Sequence, residues 1–217
     1  VPVVFALSFL GGPWSWPAVL ALAIKLIAVP LSILVHELGH TAVAHNWGIP
    51  AREIRIGAFF GFAELAWLPP SRKAGITILL AGPGASLMLA LALGALLGEP
   101  YPFDPGAPRF AMMETHGLLA YHVYNAGVWV LTLNILLCVF NLLPAHPLDG
   151  GRIAIRVLSS AIGRTAAGKL IAATGAVVGF MTALAGAKYG AVVGMTGALL
   201  AMLNGGILIN RIPSDLY

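Results

Sequence analysis

Long apolar segments place the strongest constraint on the fold of this chain. A helix needs about 20 apolar residues to cross the hydrocarbon core of a bilayer. Five segments are close to that length or longer, and a shorter one stands at the start: residues 17–46, 74–97, 118–143, 167–186, 189–209 and 1–12. Charged residues make up only 9% of the 217 residues, whereas soluble domains carry about 25%. The pattern predicts an all-α polytopic membrane protein with about six transmembrane helices.

The segment between the second and third predicted spans has a different composition. The sequence "GIPAREIRIGAFFGFAELAWLPPSRK" is interrupted by glycine and proline and is too polar to cross a membrane. Its central part contains aromatic and β-branched residues, which favour strands. Non-helical backbone is tolerated at membrane depth only where protein or water satisfies its polar groups. We therefore predict a short membrane-associated β-hairpin or re-entrant loop between helices 2 and 3.

The basic residues predict how the spans are oriented. In a six-span arrangement, nine of them fall on one side: Arg52, Arg55, Arg72, Lys73, Arg152, Arg156, Arg164, Lys169 and Arg211. Only Arg109 and Lys188 fall on the other side. Because basic residues accumulate in cytoplasmic loops, both termini are expected in the cytoplasm. The basic residues are scattered around apolar segments rather than gathered in a run, so we expect no nucleic-acid partner.

Three ionisable residues interrupt the second predicted span. His36 and His40 are four positions apart, so both imidazoles lie on one face of a helix, and Glu37 stands next to the first. This HExxH spacing presents two nitrogen ligands to one metal ion and places a glutamate where it can act as a general base. Ionisable groups at membrane depth are costly and are usually functional. A metal-free polar cluster that lines an internal cavity is the alternative interpretation.

A catalytic zinc site normally needs a third protein ligand. Asp149 is the only acidic residue between Glu114 and Asp215, and two prolines that end the preceding helix stand just before it. Gly150 and Gly151 are expected to let the backbone turn tightly after it. The two histidines and Asp149 lie towards the cytoplasmic ends of their predicted spans, so we expect them to meet.

Three motifs together resemble a known family. They are "HELGH" on one predicted helix, "AGP" opening the next, and "FNLLPAHPLDGGR" at the end of a later one. The chain is similar to the site-2 protease family of intramembrane zinc metalloproteases, in its compact branch without a PDZ domain. The resemblance implies one zinc ion per chain, with His36, His40 and Asp149 as ligands and Glu37 as the catalytic base. It also implies that Asn141 lies near the metal and binds substrate or the oxyanion.

One position departs from the family pattern. The family commonly has the motif GPxxN, and this chain has Ser86 where the motif has asparagine. The resemblance therefore leaves the role of Ser86 open.

The resemblance also implies an activity. Such an enzyme hydrolyses peptide bonds within or near transmembrane segments of membrane-anchored substrates, a process called regulated intramembrane proteolysis. Its substrates would be an anti-sigma factor, a transcription-factor precursor or a signal-peptide remnant. The alternatives are a metal-binding membrane transporter and a catalytically inactive scaffold homologue. The intact Glu37 argues against both, and the single set of ligands argues further against a transporter.

The expected organisation follows from the same resemblance. We expect one transmembrane metalloprotease domain over residues 1–217, with any C-terminal regulatory domain absent from this chain. It would be a multi-pass protein of a prokaryotic cell membrane, surrounded by the lipid bilayer. The active site would face the cytoplasmic side.

The predicted hairpin suggests a way to hold the substrate. An unwound substrate needs partners for its freed backbone groups, and an exposed strand edge supplies them. We hypothesise that substrate adds as a strand along the hairpin, with binding residues Gly57, Ala58, Phe59, Phe60 and Gly61. An interfacial anchor made by the aromatic residues is the alternative.

Two further patterns predict packing rather than chemistry. Asn134, within the fourth predicted span, is expected to make a hydrogen bond between helices. The sequence "GAVVG" occurs at residues 175–179 and again at 190–194. Small residues at this spacing predict close approach of the last two spans.

Overall fold

The computed structural model describes residues 15–56, 61–98 and 108–209. These residues form six helices and two strands, in the order α1 Trp16–Asn46, β1 Ala51–Ile56, β2 Gly61–Leu65, α2 Arg72–Leu97, α3 Pro108–Asn141, α4 Asp149–Ile162, α5 Arg164–Tyr189 and α6 Ala191–Ile209. The mostly helical fold that the sequence predicts is confirmed.

Four of these helices contain segments long and apolar enough to cross a membrane. The segments are Trp16–Asn46, Arg72–Leu97, His116–Asn141 and Arg164–Lys188, and α6 adds a shorter apolar stretch, Val193–Leu208. The predicted first span, residues 1–12, lies outside the described residues, so the count of six stays a prediction.

The surface of these helices is apolar. Leu96, Met202 and Met88 are 81%, 75% and 73% exposed, respectively. Several of the fully buried positions are instead polar or small, including Ser32, Ser86, Asn134 and Asn204. Large apolar side chains on the outside are unfavourable in water and favourable against lipid tails. The chain is therefore a membrane protein.

The described residues fall into two compact units. Unit 1 contains α1 as far as His45, both strands, α2 from Ala81 and α3 as far as Cys138. Within it α1 packs closely on α2. The glycine at position 39 permits this approach, since a Cβ atom there would lie only 2.8 Å from the Cβ atom of Ala85. The Asn134 side chain on α3 donates to the Ser32 hydroxyl on α1 at 2.9 Å. The interhelical hydrogen bond predicted for Asn134 is confirmed.

The two strands of unit 1 pair antiparallel. Ile54 lies opposite Ala63 and Ile56 lies opposite Gly61, with an irregularity in the ladder between Ala51 and Glu53. Residues 57–60, which contain four of the five predicted substrate-binding residues, lie outside the described part of the chain. Gly61, the fifth, is the first residue of β2.

Unit 2 contains the segment Trp67–Leu80 with the first residues of α2, and the chain from Val139 onwards. Its core gathers buried apolar residues of α4, α5 and α6, among them Ile155, Ile171 and Ile207. The α4 helix was not predicted from the sequence. Its 14 residues are too few to cross a bilayer, and its opening glycines favoured a turn.

The last two helices, α5 and α6, approach each other closely. A Cβ atom added at Gly179 would overlap the backbone of Ala201, and one added at Gly186 would overlap the backbone of Gly194. The close packing that the repeated "GAVVG" pattern predicts is confirmed, and small side chains are its cause.

Candidate metal centre

The two histidines of the HExxH motif face each other on α1. His36, Glu37 and His40 are all buried, at 5%, 7% and 8% exposure. The Nε2 atoms of His36 and His40 are 3.2 Å apart, and the two rings lie nearly perpendicular. Because one helical turn separates the residues, the helix itself brings the two nitrogens together.

A glycine on α2 leaves room for these imidazoles. A Cβ atom added at Gly82 would overlap the Nε2 atom of His40 and would lie 2.7 Å from the Nε2 atom of His36. Any larger residue at this position would therefore displace the histidine nitrogens. Gly84, two residues further along α2, has no neighbouring atom within 4 Å of an added Cβ atom. The requirement for glycine is local to position 82.

The second nitrogen of His36 has a protein partner. Its Nδ1 atom lies 3.0 Å from the Ser86 hydroxyl oxygen, and Ser86 is fully buried on α2. A histidine that binds metal through Nε2 carries its proton on Nδ1, and a hydrogen bond from that proton fixes the ring orientation. Ser86 thus has a polar contact at the position where the sequence departs from the family pattern.

The segment before Asp149 is irregular and is held by side chains of unit 2. Asn204 on α6 accepts a hydrogen bond from the backbone N–H of His146 at 3.0 Å. Its side-chain amide donates to the carbonyl oxygen of the same residue at 2.6 Å. The Thr174 hydroxyl on α5 donates to the carbonyl oxygen of Pro144 at 2.7 Å. Two helices therefore fix the backbone that leads to Asp149.

Gly150 and Gly151 serve a different purpose from the one the sequence predicts. They do not form a turn: both lie in the first turn of α4, and neither has a positive φ. A Cβ atom at Gly150 would overlap the carbonyl group of Leu142, and one at Gly151 would overlap that of Ala145. The two glycines are needed because the start of α4 lies directly against the preceding backbone.

His36, His40 and Asp149 form a possible metal-binding site. All three residues are buried, and one ligand atom from each lies within 4.8 Å of the others. Two imidazole nitrogens that face each other need a proton or a cation between them. Tetrahedral zinc with zinc–nitrogen bonds of ~2.0–2.1 Å would separate two such nitrogens by about 3.3 Å. The His36–His40 distance of 3.2 Å fits this value.

The other predicted site residues are placed by the fold as follows. Glu37 is buried on α1 between the two histidines in sequence. Asn141 is the last residue of α3, eight residues before Asp149, and is half-buried. Sequence reasoning assigned no role in the site to Gly82 and did not single out Asn204. An asparagine inside the apolar stretch "GALLAMLNGGILI" was a signal for the second, because polar groups in a span need partners.

A comparison with known families identifies the chain. The profile of peptidase family M50 matches residues 24–186, which include both histidines and Asp149. The chain belongs to peptidase family M50. The resemblance that the sequence motifs indicate is thereby confirmed.

Two relatives of this M50 chain are named as zinc metalloproteases. Rip3 from Mycobacterium tuberculosis is 33% identical over 178 residues, which are 78% of this chain and 41% of Rip3. The zinc metalloprotease MJ0392 from Methanocaldococcus jannaschii is 29% identical over 173 residues, 80% of this chain and 44% of the relative. This chain thus spans less than half the length of these two relatives.

The fold of this M50 chain is also similar to a solved structure. The site-2 protease from Methanocaldococcus jannaschii superimposes with a TM-score of 0.63 at 24% sequence identity. The match covers 98% of this chain and 86% of that protein. At this level of identity the similarity shows that the two share a fold.

Proposed function

We propose that this chain is the catalytic membrane domain of a zinc metalloendopeptidase that performs regulated intramembrane proteolysis. It would cleave peptide bonds within or near the transmembrane segments of membrane-anchored proteins. The observation that carries the proposal is the buried group of His36, His40 and Asp149 with Glu37 beside it. Membership of family M50 supports the same activity.

The residues of this chain would divide the work of peptide hydrolysis. His36, His40 and Asp149 would hold one zinc ion, and Ser86 would fix the ring of His36. Bound zinc supplies Lewis acidity, which favours deprotonation of the attacking water and polarises the scissile carbonyl. The Glu37 carboxylate would take the proton from that water and pass it to the leaving amine. Asn141 would donate a hydrogen bond to the oxygen on which negative charge develops.

The proposed substrates are the ones that the family resemblance implies. A membrane-anchored anti-sigma factor, a transcription-factor precursor or a signal-peptide remnant each presents a transmembrane segment at the required depth. A helical substrate hides its carbonyl groups in hydrogen bonds, so it must unwind before Glu37 and the metal can act on it.

The paired strands would hold the unwound substrate. Strands β1 and β2 form a two-stranded sheet within the described residues, so each has an edge on which a third strand can pair. We propose that substrate adds along this sheet and contacts residues 57–61.

Proline substitutions in β1 test this proposal. Successive N–H groups in a strand point to opposite edges, so single prolines at Ile54 and at Arg55 remove donors from different edges. Strand addition requires that one of the two variants folds normally, keeps zinc and loses cleavage. It is wrong if every variant that folds and keeps zinc cleaves at the parental rate.

The proposed orientation places both termini and the active site on the cytoplasmic side of a prokaryotic cell membrane. It rests on the distribution of basic residues. Single cysteines at positions 72, 164 and 109, in a chain whose Cys138 is replaced, test it. Positions 72 and 164 should be labelled from the cytoplasm and position 109 from the outside. The reverse labelling contradicts the orientation.

The substitution Glu37→Gln tests the proposed activity. It keeps the size of the side chain but removes the base, so cleavage of a membrane-anchored substrate should fall by at least ~100-fold. Zinc content, measured by elemental analysis, should remain at about one ion per chain. Loss of zinc would make Glu37 a ligand instead of the base, and undiminished cleavage would exclude it from the chemistry. Glu114→Gln is the matched control and should leave cleavage unchanged.

A further inference from the structure

Four arginines of unit 2 gather around α4. They are Arg72, Arg152, Arg156 and Arg164, and they are called the arginine cluster below. Arg72 begins the apolar span of α2, and Arg164 begins that of α5. The first residue of a span lies near the boundary between the hydrocarbon core and the headgroups. The cluster therefore lies at the depth of the lipid headgroups.

Specific contacts hold this cluster together. The Arg72 guanidinium donates to the carbonyl oxygen of Val157 at 2.7 Å and to the Ser160 hydroxyl at 3.1 Å. These bonds tie the start of α2 to the last turns of α4. The Arg156 guanidinium lies over Gly75 so closely that a Cβ atom there would be 2.8 Å from Nη1. Ile155 on the same helix is buried in the core of unit 2. The α4 helix thus has an apolar face and an arginine-bearing face, as an amphipathic helix in the membrane interface does.

The sequence of unit 2 carries an excess of positive charge. Arg152 and Arg156 are four positions apart on α4, an arrangement that is unfavourable for like charges. Burial and the charges of Arg152 and Arg164 lower the pKa of Arg156 below its ordinary value. The sequence of unit 2 contains eight basic residues and two acidic ones. Of the two, Asp149 is a candidate metal ligand, and Asp215 lies outside the described residues.

Two guanidinium nitrogens of the cluster are buried without a hydrogen bond. They are the Nε atoms of Arg152 and Arg156, which have no partner among the described residues. A buried donor without an acceptor is costly, and more so when it is charged. A phosphate group satisfies both needs at once, because it carries negative charge and its oxygens match the fork of a guanidinium.

We propose that the arginine cluster binds the phosphate group of an anionic phospholipid. The geometry points to a lipid rather than to a soluble phosphate, since the cluster lies at the ends of two membrane spans on an interfacial helix. Anionic headgroups are concentrated at that depth and attract basic groups there. The bound lipid would join the start of α2 to α4, the helix whose first residue is Asp149.

The purified chain in a neutral detergent provides the test. Its thermal unfolding and its lipid adducts in native mass spectrometry are measured with phosphatidylglycerol, with phosphatidylcholine of the same acyl chains, and with inorganic phosphate. We expect phosphatidylglycerol to bind at least about 10-fold more tightly than phosphatidylcholine and to raise the unfolding temperature. The double variant Arg152→Gln/Arg156→Gln should lose this preference. Arg52→Gln/Arg55→Gln removes the same charge from β1 and should keep it.

Three outcomes would overturn the proposal. Equal binding of both lipids would show that no charged headgroup is recognised. An equal loss in both double variants would show that only the total charge matters. Equal stabilisation by inorganic phosphate would show an anion site that does not require a lipid. If the double variant does not fold, Arg156→Lys keeps the charge but removes the fork, and it should still weaken phosphatidylglycerol binding. Unchanged binding in that variant would also overturn the proposal.

Discussion

Two segments supply the candidate metal ligands, and they hold their side chains in different ways. His36 and His40 stand on a regular helix, α1, where backbone hydrogen bonds fix the main chain and one turn of spacing places both rings on one face. Asp149 follows an irregular stretch, residues 142–148, that long-range side-chain bonds hold in place. Residues 36–40, called the histidine segment below, are held by their own helix. Residues 142–149, called the aspartate segment below, are held by hydrogen bonds from α5 and α6.

This difference predicts how each segment responds to substitution. In the histidine segment, the helix needs no hydrogen bonds from neighbouring helices. The sensitive feature is therefore the space beside Gly82 in which the two rings lie. In the aspartate segment, the sensitive features are the hydrogen bonds from α5 and α6, because residues 142–148 have no regular structure of their own. Steric changes should damage the first segment, and polar deletions should damage the second.

The largest effect is expected for Gly82→Ala. The new methyl group would overlap the Nε2 atom of His40, so at least one imidazole must leave its position. Displacement of a ligand by even an ångström is expected to cost ~100-fold or more in activity, and zinc affinity should fall with it. Gly84→Ala is the matched control, since an added Cβ atom there meets nothing within 4 Å. Zinc affinity is measured by competition with a chelator. Equal affinity in both variants would show that the Gly82 space does not matter.

The histidine segment could be predicted from the sequence because its information is local. The spacing of His36 and His40 and the length of the apolar segments require only helix geometry and the thickness of a bilayer. Asp149 could be predicted because no other acidic residue lies within the last hundred residues before Asp215. These are arguments from periodicity and from elimination.

The support of the aspartate segment could not be predicted in the same way. Asn204 is 58 residues from its partner His146, and no spacing rule connects two positions so far apart. Gly150 and Gly151 favour a turn when the sequence is considered alone. In the structure, both positions require glycine because a side chain would overlap the backbone of the preceding segment. Both features depend on tertiary packing, which a local pattern does not contain.

The next largest effect is expected for Asn204→Leu. The substitution keeps a similar branched shape but removes the partner that Asn204 provides to the N–H and C=O groups of His146. These groups are partly buried, so the loss should cost up to about 1–3 kcal/mol for each. The unfolding temperature should fall, and zinc affinity should fall by about 10-fold or more as the segment before Asp149 loosens. Asn134→Leu is the control, because Asn134 is equally buried and bonds to Ser32 instead. It should lower stability and leave zinc affinity unchanged. An equal loss of affinity in both variants would mean that Asn204 acts only through overall stability.

The smallest effect is expected for Ser86→Ala, which sharpens the comparison because it is a polar deletion in the histidine segment. The α1 helix should hold His36 without the hydroxyl, so the unfolding temperature should change little. The ring loses the partner of its Nδ1 atom, so zinc binding should weaken by about 10-fold, the lower end of the range for such contacts. Ser32→Ala is the control, since Ser32 is also buried on α1 but bonds to Asn134. Chelator competition should separate the two variants, with weaker zinc binding in Ser86→Ala alone. If Ser86→Ala instead unfolds at a much lower temperature, the histidine segment depends on its neighbours as the aspartate segment does, and the proposed difference between them fails.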